Sequence, residues 1–194
     1  MNRRAFLTSI GAGSVGAGAL VGTGGYSRIR SQRRVIIEVG SGESAWTILV
    51  DNDEPDPTKN RLNELEGMRT NRWGWYMPYT IDGSADAEFW AGAGGNDLDA
   101  GIFVGNVEIK VVDDDLVVEI EMVDAALLES HLYVDTDTER LVDDNASPGQ
   151  FDYDDGDPEF DEGIFTIPFE DIQDGLEQGN ELILALHGVV EVED

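Results

Sequence analysis

Between Ile102 and Met122 the chain repeats with a period of two. Val107, Ile109 and Val111 alternate with Glu108 and Lys110, and Leu116, Val118, Ile120 and Met122 alternate with Val117, Glu119 and Glu121. Side chains in a strand point alternately to opposite faces, so this pattern makes two strands with one apolar face and one mostly polar face. Asp113-Asp114-Asp115 between them supplies the turn. Such a hairpin has to lay its apolar face on something, and the other segments that read as structured are strands too. They are Arg34–Val39, Ala45–Val50, Ser130–Val134, Gly163–Phe169 (with Pro168 marking an edge or an end) and Glu181–Val192. Leu62–Met68 and Glu170–Leu176 each have room for one helical turn. Asp51–Asn60, the glycine-rich Phe89–Asp99 and the acidic Asp135–Glu162 read as loops. The expected fold is an all-β antiparallel sandwich of about seven to nine strands with long acidic loops.

Charge divides the chain in two. Residues 1–34 carry six arginines (Arg3, Arg4, Arg28, Arg30, Arg33 and Arg34) and no acid, so all 41 acids fall on residues 35–194; the net charge is −29. Lys59 and Lys110 are the only lysines. This balance argues against nucleic acid and anionic membrane as partners. At about 0.1 M salt the Debye length is about 10 Å and such a surface repels itself; at about 1 M it is about 3 Å and the repulsion fades. The composition reads as halophilic, or as the calcium-buffering surface of a protein from moderate salt. Hydrophobic residues make up 41% of the chain, enough for a core despite the charge. The chain has no cysteine, which excludes a disulfide framework, a thiolate metal site and a cysteine nucleophile.

The first thirty residues read as an address. Arg3-Arg4-Ala5-Phe6-Leu7 followed by a mildly apolar stretch with seven glycines from Gly11 to Gly25 looks like a twin-arginine export signal. It is either cleaved near residues 20–30 or retained as a membrane anchor. Residues 31–194 are expected to form one acidic β-domain, extracellular or at the cell surface. After the signal no segment has 18 consecutive apolar residues.

Five short motifs between Phe89 and Val190 stand in an order that resembles an uncharacterised extracellular β-domain family of secreted archaeal and bacterial proteins. They are Trp90-Ala91-Gly92-Ala93-Gly94-Gly95-Asn96-Asp97, Gly101-Ile102-Phe103-Val104-Gly105-Asn106-Val107, His131-Leu132-Tyr133-Val134, Pro148-Gly149-Gln150-Phe151-Asp152-Tyr153 and Ala185-Leu186-His187-Gly188-Val189-Val190. Gly95 departs from the family's glutamine, and Asp135 from the glycine that follows its LYV strand. The resemblance implies a secreted β-module and no particular activity. Gly22–Tyr26 with Arg33–Val39 also looks like the start of haloarchaeal proteins related to TasA-type matrix fibres. That likeness implies that Arg33–Val39 pairs within its own sheet or adds to a neighbour's.

Several groups are candidate sites. His131 and His187, with Glu129, have the chemistry of a transition-metal site; the structural alternative is histidines bonded to loop backbone or to loop side chains such as Asn96 or Gln150. Asp152, Asp154, Asp155 and Asp157 offer oxygens for calcium, as do Asp51, Asp53 and Asp56, and Asn96 with Asp97; none has the register of an EF-hand. Trp73, Trp75, Tyr76 and Trp90 make either a sugar-stacking platform or core. Asn145-Ala146-Ser147 is an N-glycosylation sequon with Pro148 directly after it. The glycine run at 91–95 lacks the Lys-Ser/Thr of a phosphate loop. Ser130 adjoins His131 and so points to the opposite face, and no G-x-S-x-G elbow is present. The expected role is non-catalytic: an exported surface or matrix domain, with assembly by strand exchange as one mode, or alternatively a calcium- or glycan-binding module. No cofactor is assigned beyond calcium as a candidate. Partners would be further copies, other surface proteins or glycan, with membrane contact only through an uncleaved signal.

Overall fold

The computed structural model describes residues 42–51, 54–157, 160–161 and 163–192. The twin-arginine segment and the strand expected at Arg34–Val39 lie outside them.

The alternating hairpin forms where the sequence placed it. β5 (Ile102–Val112) pairs with β6 (Asp115–Met122) in antiparallel register, Val107 opposite Ile120 and Val111 opposite Leu116. Asp115 belongs to the second strand, so only Asp113 and Asp114 turn the chain. Asp113 takes φ +57°, a left-handed conformation that aspartate tolerates better than most residues.

β1 (Glu43–Asp51), β4 (Ser84–Ala91), β7 (Ala125–Asp135), β10 (Ile164–Pro168) and β11 (Glu181–Val192) are the other long strands, with β3 (Met77–Thr80) shorter. β2 (Glu54–Pro55), β8 (Tyr153–Asp154) and β9 (Phe160–Asp161) have two residues each. The strands form one antiparallel sheet in the order β8–β7–β11–β1–β4–β5–β6–β10–β9, with β2 on β1 and β3 on β11. Eight of the eleven have four residues or more, within the expected number. Two short α-helices, α1 (Glu139–Asp143) and α2 (Phe169–Ile172), and three 3-10 turns at Leu62–Glu64, Leu98–Ala100 and Pro148–Gln150 complete the elements among the described residues. No helix among the described residues is long and apolar enough to cross a membrane.

The core shows that the sheet curls. Leu132 and Val134 of β7 lie in one apolar cluster with Phe165 and Ile167 of β10, although these strands sit near opposite ends of the hydrogen-bonded order. Phe89, Val107, Ile109, Leu116, Val118, Leu184 and Leu186 fill the same cluster. The concave face is therefore the main core, and two halves of one sheet face each other across it. A second cluster lies on the convex face, where the segments 57–76 and 139–151 cover Trp46, Ile48, Tyr133, Ile183 and Ala185. β11 is thus buried on both sides from Leu182 to Gly188.

β4 departs from expectation. Its inward positions are Ala85, Ala87, Phe89 and Ala91, and three alanines carry too little hydrophobicity to mark a strand by period. The expected glycine loop therefore starts later, after Ala91. Asp135, at one of the family departures, is the last residue of β7, opposite Ile183.

On the solvated side of the hairpin Glu108 stands directly opposite Glu119, an unfavourable like-charge pair. Lys110 bonds both, reaching Glu119 at 3.0 Å and Glu108 more closely, and these bonds raise its pKa. Lys110→Met should lower the melting temperature by a few degrees at about 0.1 M salt, and the loss should shrink toward zero at about 1 M as screening replaces the cation. A thermal melt series in KCl checks this.

Candidate functional site

Three of the residues singled out in the sequence, His131, His187 and Trp90, meet Trp46 and Phe103 in one row across the convex face. Residues directly opposite in antiparallel strands share a face. The register sets His131 of β7 opposite His187 of β11, His187 opposite Trp46 of β1, Trp46 opposite Trp90 of β4, and Trp90 opposite Phe103 of β5. Trp46 is the hub. Its indole meets His187 at 4.9 Å, Phe151 at 6.2 Å and Trp73 at 6.4 Å between ring centroids, each edge to face. Gly74 lets the loop close over it: the backbone there has φ +122°, and a Cβ would stand 2.5 Å from the indole. The Gly74 carbonyl accepts from Leu62 N at 3.0 Å and from Asn96 Nδ2 at 2.8 Å. Deleting the Trp46 side chain with Trp46→Ala should cost about 3–5 kcal/mol, read from denaturant unfolding.

The two histidines are brought together, and stacked. Their rings lie 5.9 Å apart at 29°, so their in-plane lone pairs do not converge on a common point. His131 Nε2 is 3.8 Å from Glu129. His187 Nε2 is 2.8 Å from Ser44 Oγ, and its Nδ1 is buried with no protein partner. Among the described residues no three His, Asp or Glu side chains form a group that would hold a metal ion. In this arrangement stacking and the Ser44 bond set the geometry of His131 and His187. Asn96 and Gln150 are not the histidine's partners; Ser44, 143 residues away in sequence, is.

Ser44 and His187 are at nucleophile–base distance, which the sequence did not foretell. A working dyad also needs an acid to orient the imidazole and a base that takes a proton near neutral pH. Nδ1 of His187 meets no carboxylate. Burial first, then the neighbouring His131 and Arg72, push its pKa down to about 3 against a smaller opposing effect of Glu129. A base that weak leaves Ser44 a neutral hydroxyl.

The calcium expectation at 152–157 meets a different arrangement. Arg140 takes both oxygens of Asp152, bonds Asp135 through Nε at 3.0 Å, and lies over the Tyr133 ring at 5.2 Å. Asp154 Oδ1 accepts from Gly156 N at 2.7 Å, and Asp157 Oδ2 accepts from Asp154 N at 3.0 Å. These carboxylates fold their own loop and dock it. Asp155 adds a backbone bond to the Ser130 carbonyl. In the other acidic loop Asp53 lies outside the described residues, and Asp56 accepts from Thr58 N and Oγ1 at 3.0 and 2.6 Å. Asp97 Oδ1 accepts from Asp99 N.

The sequon is also engaged. Arg72 donates to Ser147 Oγ at 3.0 Å and, through Nη2 and Nε at 2.9 Å each, to the Asn145 side-chain oxygen. The four aromatics all belong to or pack against the convex cluster, in different places. Trp75 is fully buried with Nε1 on the Pro57 carbonyl at 3.2 Å, Trp73 packs on Trp46, and Tyr76 lines a cleft of about 360 Å³ with Lys59 and Asp82. Trp90, partly exposed and packed at the margin of the same convex cluster, lies beside Phe103.

His187 makes stability depend on pH. It is neutral in the fold, whereas the unfolded chain takes a proton there near pH 6.5, so its contribution is complete above 6.5 and declines as the pH falls toward 3. Between pH 6.5 and 5, above the range where carboxylates titrate, unfolding free energy should fall by up to about 1.4 kcal/mol per pH unit from this one proton. His187→Gln should flatten that slope, whatever its effect on stability at pH 7; urea unfolding at several pH values measures both.

In comparisons with protein-family models, with curated proteins and with solved structures, nothing matches this chain.

Proposed function

We propose that the chain is an exported, non-catalytic β-domain of the cell surface or extracellular matrix, adapted to high salt. The observation that carries this reading is the distribution of charge: a basic, glycine-rich leader of signal type, then an all-β domain that holds every acid in the chain. The concentrated histidines and aromatics support it, because they pack the convex layer instead of lining a reaction centre. The strand-like Arg33–Val39 keeps assembly by strand exchange as the mode to test first. The second reading, a glycan-binding module, is favoured by one observation, the partly exposed Trp90–Phe103 pair. Calcium has less support, since the carboxylates at 152–157 are engaged with Arg140 and with their own backbone.

Two measurements decide between these readings. The melting temperature should rise between 0.1 M and 3 M KCl; equal stability would remove the halophilic reading. Size-exclusion chromatography with negative-stain microscopy in 3 M KCl should show oligomers or filaments for a matrix subunit, lost on deleting residues 31–40 while the fold persists. A monomer under every condition would leave a surface module that acts singly.

A further inference from the structure

Most of the convex face is covered, but the stretch over β4, β5 and β6 is not, and it has a pattern. Trp90 faces Phe103 across β4 and β5, with ring centroids 5.9 Å apart at 70°. One step along the strands Glu88 faces Asn106, and Asn106 faces Glu121 on β6. An aromatic row thus runs beside a row that offers carboxylate, amide and carboxylate, roughly 7 Å away by strand rise. The β5 chain carries one extra residue between the two rows, at Val104, where the register with β4 shifts. Both rings are partly exposed, and Asn106 and Glu121 are exposed. The Trp90 indole is held in place: its Nε1 donates to Glu88 Oε2 at 2.8 Å.

We infer that this face binds a neutral oligosaccharide, with a pyranose ring stacked on Trp90 and bordered by Phe103, whose plane stands at 70° to the indole, and its hydroxyls bonded to Glu88, Asn106 and Glu121. Aromatic faces take the apolar C–H side of a sugar ring, while carboxylate and amide groups accept from its hydroxyls. The charge selects among occupants. Glu88 and Glu121, with Glu108 and Glu119 further along, repel a uronate, a sulfated glycan or a nucleic acid. A basic protein would be attracted at low salt and lose that attraction at about 1 M, where the Debye length is about 3 Å. Stacking and hydroxyl bonds do not depend on net charge, so a neutral sugar suits the face at either salt. This inference rests on the glycan-binding reading and not on assembly: a monomer and a matrix subunit would both present the face.

The test is titration calorimetry of the full chain with cellohexaose, maltohexaose and mannohexaose, and with hexagalacturonate as the anionic control, at 0.2 M and 3 M KCl. At least one neutral hexamer should bind with a dissociation constant of about 1 mM or tighter at both salts, while hexagalacturonate does not bind at 0.2 M. Trp90→Ala should weaken binding tenfold or more, and Asn106→Ala, at an exposed position, threefold or more. Tyr76→Ala, in the separate cleft, should leave affinity unchanged. If Trp90→Ala loses the native near-ultraviolet dichroism, Asn106→Ala and Phe103→Leu carry the test. No binding by any neutral hexamer at millimolar concentration would overturn the inference, as would binding that the face variants leave intact. A shift in oligomeric state caused by Trp90→Ala without any effect on sugar would overturn it in favour of a protein contact.

Discussion

β11 is the strand on which everything else is hung, because it is buried on both faces. Leu182, Leu184 and Leu186 go into the concave core, and Ile183, Ala185 and His187 go under the convex layer. A strand in that position reads as a continuous apolar run, and its backbone bonds leave water entirely. β7 pairs along most of its length on one side, and β3 and β1 share the other. Gly188 belongs to the same constraint: a Cβ there would stand 2.6 Å from Phe89 Cζ, so the absent side chain lets the largest inward ring of β4 reach across β1. The two histidines are consequences of this geometry. His187 is the one polar side chain in the buried run, and its neutral state, its Ser44 bond and its stack on His131 are what make it tolerable there.

Basic residues are few in the domain and are placed at joints. Arg72 ties the aromatic loop to the turn after α1, Arg140 ties that same region to the end of β7 and to the Asp152 loop, and Lys110 separates two opposed glutamates. In a chain with 41 acids, Lys110 and Arg140 neutralise carboxylates on neighbouring segments, while Arg72 joins segments far apart in sequence through a hydroxyl and an amide. Bidentate bonds suit arginine for two of these joints, where one planar group has to hold two partners at once.

What was legible in the sequence follows from period and length. The β5–β6 hairpin alternates strongly, and Glu181–Val192 is a long run of strand formers, so both elements appear where they were expected. β4 was hidden because alanine fills its inward positions, and the first five residues of β7 were hidden because Ala125–Glu129 does not alternate in hydrophobicity. The site was half legible. Residue types marked His131, His187, Trp73 and Trp90 as unusual, but only the register puts His131, His187, Trp46, Trp90 and Phe103 in line. Ser44, Arg72 and Phe103 carry no local mark, since their roles come from strand neighbours and loops distant in the chain. In the acidic loops, where aspartate is abundant, short spacings arise often, and the described ones serve turns and ion pairs.

The sheet's two ends have a character of their own. Its long strands are locked by neighbours on either side, but the order begins with Tyr153–Asp154 and finishes with Phe160–Asp161, each a clip of two residues. Detaching a clip breaks few backbone bonds and uncovers the edge of β7 or β10, whereas opening any interior pair breaks a long ladder. The molecule is thus stiff at its centre and soft at its rims. Amide protons at the rims would exchange through small local openings, and those of β11 only when the whole sheet comes apart. A competing strand that arrives at a rim therefore has only a clip of two residues to displace.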